Sequence, residues 1–284
     1  MSLRFTLCAD DFAVSPAVSR GIFEALEAGR LNATSAMTNR PHWRSAASEL
    51  AQFGAKIEVG LHLNLTLGAP LSSMPQLAPG GELPNLRQLV RASLRRSLPE
   101  AEVRGEIARQ IDAFEEAFGA PPDFVDGHQH IQVLPLVRDF LIEELAARKL
   151  AGRTWLRDSS DTLSRIVARR VEIGKAVTVA GLGRGFARVA ANSGFAINDG
   201  FAGYSSFAPS RDYGADFARY LVAPGGWHLV MCHPGRVDEE LSLADSVTTA
   251  RENELGFLLS SRFTEILDAA DATLAAPRGA DGKA

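Results

Sequence analysis

The sequence predicts an α/β protein folded as a single TIM-like (β/α) barrel, distorted from the regular form, with extended loops at the C-terminal face of its strands. Three observations lead there. Short apolar runs alternate with stretches of helical periodicity along the chain. No linker or internal repeat divides the 284 residues, 46% of them hydrophobic, and that length can bury one large core. Acids and imidazoles stand where the apolar runs end, and parallel βα sheets collect their chemistry at strand carboxyl ends. A flat doubly wound sheet is the alternative way to use the same alternation. Residues 1–276 are expected to form one catalytic domain, and the polar, glycine-containing 277–284 a disordered tail.

The elements follow in order. Phe5-Thr6-Leu7-Cys8-Ala9 reads as a buried strand ending in Asp10-Asp11. Ser15-Pro16 opens a helix whose apolar face is Val18, Ile22, Phe23 and Leu26, and Gly29 stops it. A strand over 33–37, a helix over 43–53 and a strand ending at His62 come next. Residues 67–84, rich in Pro, Gly and Ser, read as a long loop shaping the substrate entrance. Helical periodicity runs over 86–118, with Arg91, Arg95 and Arg96 on a solvated face. Phe124-Val125 leads into Asp126-Gly127-His128-Gln129-His130, and a helix through Phe140 and Leu141 precedes a short strand over 154–157. Residues 163–191 look helical and basic. The last strand, Leu229-Val230-Met231-Cys232, reaches His233-Pro234-Gly235, and 252–274 forms a closing helix.

Composition removes several function classes. The formal net charge of −4 argues against general nucleic-acid binding, which needs a concentrated basic surface. No apolar run is long enough to cross a bilayer, and the N-terminus shows no signal-peptide pattern, so a cytoplasmic location is expected. Cys8 and Cys232 sit inside buried strands and read as small core hydrophobes. Gly181-Leu182-Gly183-Arg184-Gly185 lacks the βαβ setting of a dinucleotide loop.

The chemistry-bearing residues suggest one shared site, a metal centre. Two neighbouring carboxylates entering a partly buried space are costly unless compensated. A cation solves that for one of Asp10 and Asp11 and leaves the other as a base; a solvated helix-capping pair is the alternative. His62 shares a strand face with Asn64, although a lone strand histidine is more often a hydrogen-bonded core residue. His128 and His130 are two apart, so an extended backbone aims both imidazoles at one side. They can bind a divalent ion jointly, or one can bind while the other orients or donates a proton. His233 closes the last strand. Arg157 closes the strand before it, where it could hold a carboxylate base or form a structural salt bridge. His42 and His228 have no such setting.

At these residues the sequence resembles the YdjC-like carbohydrate deacetylase family. The matching pieces are Ala9-Asp10-Asp11-Phe12, Gly60-Leu61-His62-Leu63-Asn64-Leu65-Thr66, Asp126-Gly127-His128-Gln129-His130 and Met231-Cys232-His233-Pro234. Ser35-Ala36-Met37-Thr38-Asn39 and Asn198-Asp199-Gly200-Phe201-Ala202-Gly203 are similar as well, and the pieces occur in family order. The resemblance implies a TIM-barrel-like hydrolase that removes acetyl groups from N-acetylated amino sugars, free or glycolipid-linked, with one divalent metal, Mg or Zn. It implies Asp11, His62 and His128 as metal ligands and Asp10 as general base. His233 is the preferred proton donor, with His130, Arg157 and Asn39 as substrate-binding or orienting residues. Ala13 stands where family members usually have glycine. A homodimer is expected from the family, which spans chitooligosaccharide deacetylases and members associated with hopanoid biosynthesis; the motifs do not choose between them. The rival readings are another metal hydrolase, of amidohydrolase or phosphodiesterase type, with His128 and His130 both on metal, and a sugar-binding barrel without catalysis.

Overall fold

The computed structural model describes residues 2–275; the tail expected at 277–284 lies outside the described residues. Eight strands form one sheet: β1 (Leu3–Phe12), β2 (Ala33–Ala36), β3 (Glu58–Leu63), β4 (Phe124–Gly127), β5 (Trp155–Leu156), β6 (Gly200–Ala202), β7 (His228–Cys232) and β8 (Ala272–Leu274). The order is β5-β4-β3-β2-β1-β7-β6, with β8 paired to β1 off this path. Every ladder is parallel. Parallel neighbours need crossover connections, and helices fill them. The first, Pro16–Glu27, begins as expected, with the Ser15 side chain accepting from the Val18 N–H and a proline in the first turn.

A regular eight-stranded barrel does not form. The sheet curls until its edges meet at one bridge, Leu156 to Ile197, where the Leu156 N–H donates to the Ala196 carbonyl at 2.9 Å. Two residues of β5 and three of β6 are too short to extend that contact into a ladder. β8 widens nothing, because it pairs with Leu3–Phe5 at the start of β1. The fold is therefore α/β with a curled parallel sheet.

Three helical expectations change in detail. The 86–118 stretch is two helices, Leu86–Leu94 and Glu100–Phe118, with Pro99 at the second start. The 163–191 stretch is three, broken where Arg170 and Gly185 adopt left-handed conformations. The closing helix is also two, Thr249–Leu259 and Ser261–Ala269, and its expected end at 272–274 is β8.

Side-chain alternation divides the sheet into two faces. Leu7, Val59, Leu61, Val125, Leu156 and Val230 pack outward in the main core under the helices. Cys8, Ala33, Phe124, Trp155, Phe201 and Leu229 join a second cluster inside the curl. Phe124 and Trp155 stack there with centroids 4.5 Å apart. Two residues further along each strand the inward positions become polar: Asp10, Ser35, His62, Asp126 and Arg157, all buried. The apolar layer closes the bottom of the curl, and the polar layer forms the floor of whatever opens above it.

Gly60 fits this layering because it has no side chain. A Cβ there would lie 2.5 Å from the Phe124 ring. Gly60→Ala is expected to force that ring from its place on Trp155 and to lower stability by about 1–3 kcal/mol, as overpacking does. Urea unfolding measures it directly.

Candidate active site

The site begins with an irregularity in β1. Its pairing with β2 slips between Ala9 and Phe12, and Asp11 takes a left-handed backbone with φ 66°. In a regular strand Asp10 and Asp11 would face opposite sides. The bulge instead delivers both carboxylates to one cavity, which each of them lines. That cavity, of about 550 Å³, opens at the carboxyl ends of the strands.

Asp11 is the hub. Its Oδ1 lies 3.1 Å from His62 Nε2 and 2.9 Å from His128 Nδ1. Its Oδ2 accepts from Arg251 Nη2 at 2.6 Å. The potential ligand atoms of Asp11, His62 and His128 all lie within 4.8 Å of one another. The residues fit a divalent cation: one carboxylate and two imidazoles converge, and His62 is oriented from behind. Its Nδ1 lies 2.7 Å from Asp126 Oδ1 and 3.0 Å from Ser35 Oγ, which leaves Nε2 towards Asp11. Burial works against a charged His62, yet the Asp126 charge and hydrogen bonds to Asp11 and Asp126 outweigh it and push its pKa to about 10. A cation bound at Nε2 would displace that proton.

Asp10 is held apart from this hub. Arg157 grips it with both terminal nitrogens, Nη1 to Oδ2 and Nη2 to Oδ1, each at 2.7 Å. β5 and β1 are four strands apart, so the guanidinium spans the inside of the curl. Arg157 Nη2 also lies 2.5 Å from Asp126 Oδ2. One fully buried arginine thus serves the candidate base and the carboxylate behind His62 together. Burial favours a neutral Asp10, but Arg157 overrides it and lowers the pKa to about 2. Asp10 is therefore ionised at neutral pH.

His233 lines the cavity with its Nδ1 unpartnered. Its backbone N–H donates to Glu254 Oε2 at 2.6 Å, and the Phe207 ring stands edge-on to the imidazole with centroids 5.0 Å apart. Burial holds His233 below the ordinary histidine range, against the charges of Asp11 and Asp10. His130 also lines the cavity, but not as a twin of His128. The backbone is not extended there: His128–Val133 is a 3-10 turn in which Gln129 and His130 have φ of 55° and 62°. His130 consequently faces Ser159 Oγ, at 3.1 Å, and the rings of Tyr204 and Phe201. Burial, its largest influence, pushes its pKa down to about 3, so it is neutral.

Other expectations shift. Asn39 is absent from the cavity wall; its amide donates to the Leu67 and Ala69 carbonyls and accepts from Asn64. The 67–84 loop contributes no lining residue either. The carboxylates of Glu102 and Glu106 tie its backbone N–H groups down. The wall comes instead from Leu86, from the helix Ile173–Leu182 through Lys175 and Val179, and from Tyr204, Ser205 and Phe207. His42 pairs with Glu240, and His228 is fully buried, as a structural role requires. Sequence reasoning missed Arg251, Glu254 and the part Ser35 plays. Arg251 lies inside a helix with no motif around it and bridges Asp11 to Asp245 at 2.7 Å.

The family model for the YdjC-like protein matches residues 4–269 of this chain. A chitooligosaccharide deacetylase of Proteus mirabilis (strain HI4320) is 37% identical over 139 residues, covering 46% of this chain and 53% of its own length. One from Klebsiella pneumoniae subsp. pneumoniae is 36% identical over 146 residues, covering 50% and 57%. The chain thus spans little more than half the length of these curated relatives. Among crystal structures, a candidate cellobiose-phosphate cleavage protein of Enterococcus faecalis V583 superposes with a TM-score of 0.73 at 20% identity, over 97% of this chain and 98% of that one. That likeness establishes the fold.

Arg157→Met would leave Asp10 and Asp126 buried without their counter-charge. Removing one partner of such a cluster is expected to lower stability by about 3–5 kcal/mol. Denaturant titration of the metal-free protein reads this, and a loss below about 1 kcal/mol would mean that the fork is not a structural necessity.

Proposed function

The chain belongs to the YdjC-like protein family, and from that membership we propose that it is a metal-dependent carbohydrate N-deacetylase. It hydrolyses the acetamide of an N-acetylated amino sugar, free or glycolipid-linked, to acetate and a free amine. The observation that carries this reading is the pairing of a three-donor cluster, Asp11, His62 and His128, with a separately held carboxylate, Asp10, in one cavity. Such a division suits a hydrolase, because holding a cation and removing a proton are then done by different residues.

A divalent ion, Mg or Zn, held by Asp11, His62 and His128 would supply Lewis acidity to the acetyl carbonyl and to the attacking water. Asp10, ionised and fixed by Arg157, takes a proton from that water as its oxygen bonds to the carbonyl carbon. The C–N bond then breaks, and the proton taken up by Asp10 is passed on to the departing nitrogen by way of His233. His233 suits this relay because it lines the same cavity as Asp10 and Asp11, whose charges act on its ring. His130, neutral and turned to Ser159, orients the substrate. The phosphodiesterase or amidohydrolase reading requires His130 beside His128 on the ion, and His130 is outside the donor cluster. A sugar-binding barrel would have no use for a held, ionised Asp10.

Asp10→Asn is expected to keep bound metal and to lose about 10²–10⁴-fold in turnover, the usual worth of a positioned base. Asp11→Ala and His128→Ala should lose both. Acetate release from N-acetylglucosamine oligomers, with metal content measured on the same samples, separates the cases. Unchanged turnover in Asp10→Asn would remove the assigned base.

A further inference from the structure

Two helices beside the cavity combine features that a water-facing surface avoids. Leu86–Leu94 and Ile173–Leu182 each contribute to the cavity wall, through Leu86 and through Lys175 and Val179. Ile173–Leu182 is apolar nearly throughout, yet only Ala176 of its ten residues is buried. Ile173 and Val177, one turn apart, are exposed, and so are Leu163 and Val167 on the preceding helix. Leu94 is 56% exposed at the end of the first helix. The helices Leu163–Arg169 and Ile173–Leu182 pack against one another, and a cluster of exposed apolar residues on neighbouring helices marks an interaction site.

The charge around these residues is predominantly positive. Residues 85–97 carry a net +4 and residues 163–192 a net +5, leaving −13 on the rest of a chain whose total is −4. Arg87, Arg91, Arg95 and Arg96 are exposed, as are Arg170, Arg184 and Arg188. None of these seven forms an ion pair among the described residues. Stability therefore does not account for them. No described helix is long and apolar enough to cross a membrane.

We propose that these two helices dock the protein on an anionic lipid surface, with the cavity mouth at the membrane. Exposed aliphatic residues flanked by unpaired arginines are the pattern that enters the headgroup region of acidic bilayers. A soluble polyanion would use the arginines and leave the aliphatic residues idle. A second copy of this chain would bring like charges together. Resting on the reading of the site as a deacetylase, the docking places the acetamide of a membrane-resident amphiphile within reach of Asp10.

Co-sedimentation of the full chain with vesicles tests this. Binding is expected to phosphatidylglycerol-containing vesicles, to be at least about 10-fold weaker with phosphatidylcholine alone, and to fall with added salt. Ile173→Asp with Val177→Asp, and separately Arg91→Glu with Arg95→Glu, should each weaken binding about 10-fold or more. Deacetylation of a soluble acetylated oligosaccharide should be unchanged in both, so failure of docking and failure of the deacetylase reading are told apart. No binding to acidic vesicles at low salt would overturn the proposal. So would equal binding by the aspartate variants, heparin binding with the same dependence on Ile173 and Val177, or a dimer that those variants dissociate.

Discussion

Burial of three carboxylates close together is the constraint from which the rest follows. Asp10, Asp11 and Asp126 are each no more than 2% exposed. Each would cost several kcal/mol to desolvate alone. Two guanidiniums answer them, Arg157 from the short fifth strand and Arg251 from a helix near the end of the chain. A protonated His62, held between Asp11 and Asp126, completes the balance. With that proton in place the group is neutral. Exchange of that proton for a divalent ion would leave an excess of positive charge, the sign that the proposed hydrolysis would need at a developing oxyanion.

Part of the backbone distortion in the chain also gathers at this site. Left-handed conformations at non-glycine residues cost on the order of 1–3 kcal/mol each and persist only where their surroundings dictate them. Of the twelve non-glycine residues with positive φ among the described residues, four line the cavity: Asp11, Gln129, His130 and Phe207. The bulge at Asp11 and the turn after His128 bring two ligand candidates from different strands to one point. Ala13 adopts the same conformation away from the cavity wall, and its N–H donates to Ser19 Oγ at 3.0 Å.

Much of this was legible in the sequence, for a physical reason. Buried parallel strands read as apolar runs, so Phe5–Ala9 and Leu229–Cys232 announced β1 and β7, and the polar residues terminating them fell at the open end of the sheet. Arg157 at a strand end leaves two readings open in the sequence, holding a carboxylate base or a structural salt bridge, and its partners, Asp10 and Asp126, are visible only in three dimensions. Local periodicity cannot reveal a departure from periodicity. The turn at Gln129 and His130 broke the supposed pairing of His128 with His130, and β8 arose inside an apparently helical run. Arg251 was invisible because its role depends on Asp11, 240 residues away. The barrel does not close regularly because β5 and β6 are only two and three residues long, a length that the apolar runs along the chain do not encode.

Floor and rim of the cavity are built by different means. The floor consists of inward strand residues, fixed by register to within one side chain, since a slip of one position would turn Asp10, His62 and Asp126 outward. The rim comes from helices and loops that leave the sheet, among them Leu86, Lys175 and Phe207, and no ladder constrains them. Lys175 donates to the Ser205 carbonyl at 2.6 Å and lies over the Phe207 ring, joining the two sides of the mouth by contacts that few other elements share. Charge follows the same division: acids converge on the floor, while unpaired bases gather on the helices around the rim. A rim of this kind can change what reaches the site without disturbing the residues that react. The electrostatics of the floor, which depend on every buried charge having its partner, leave no comparable freedom.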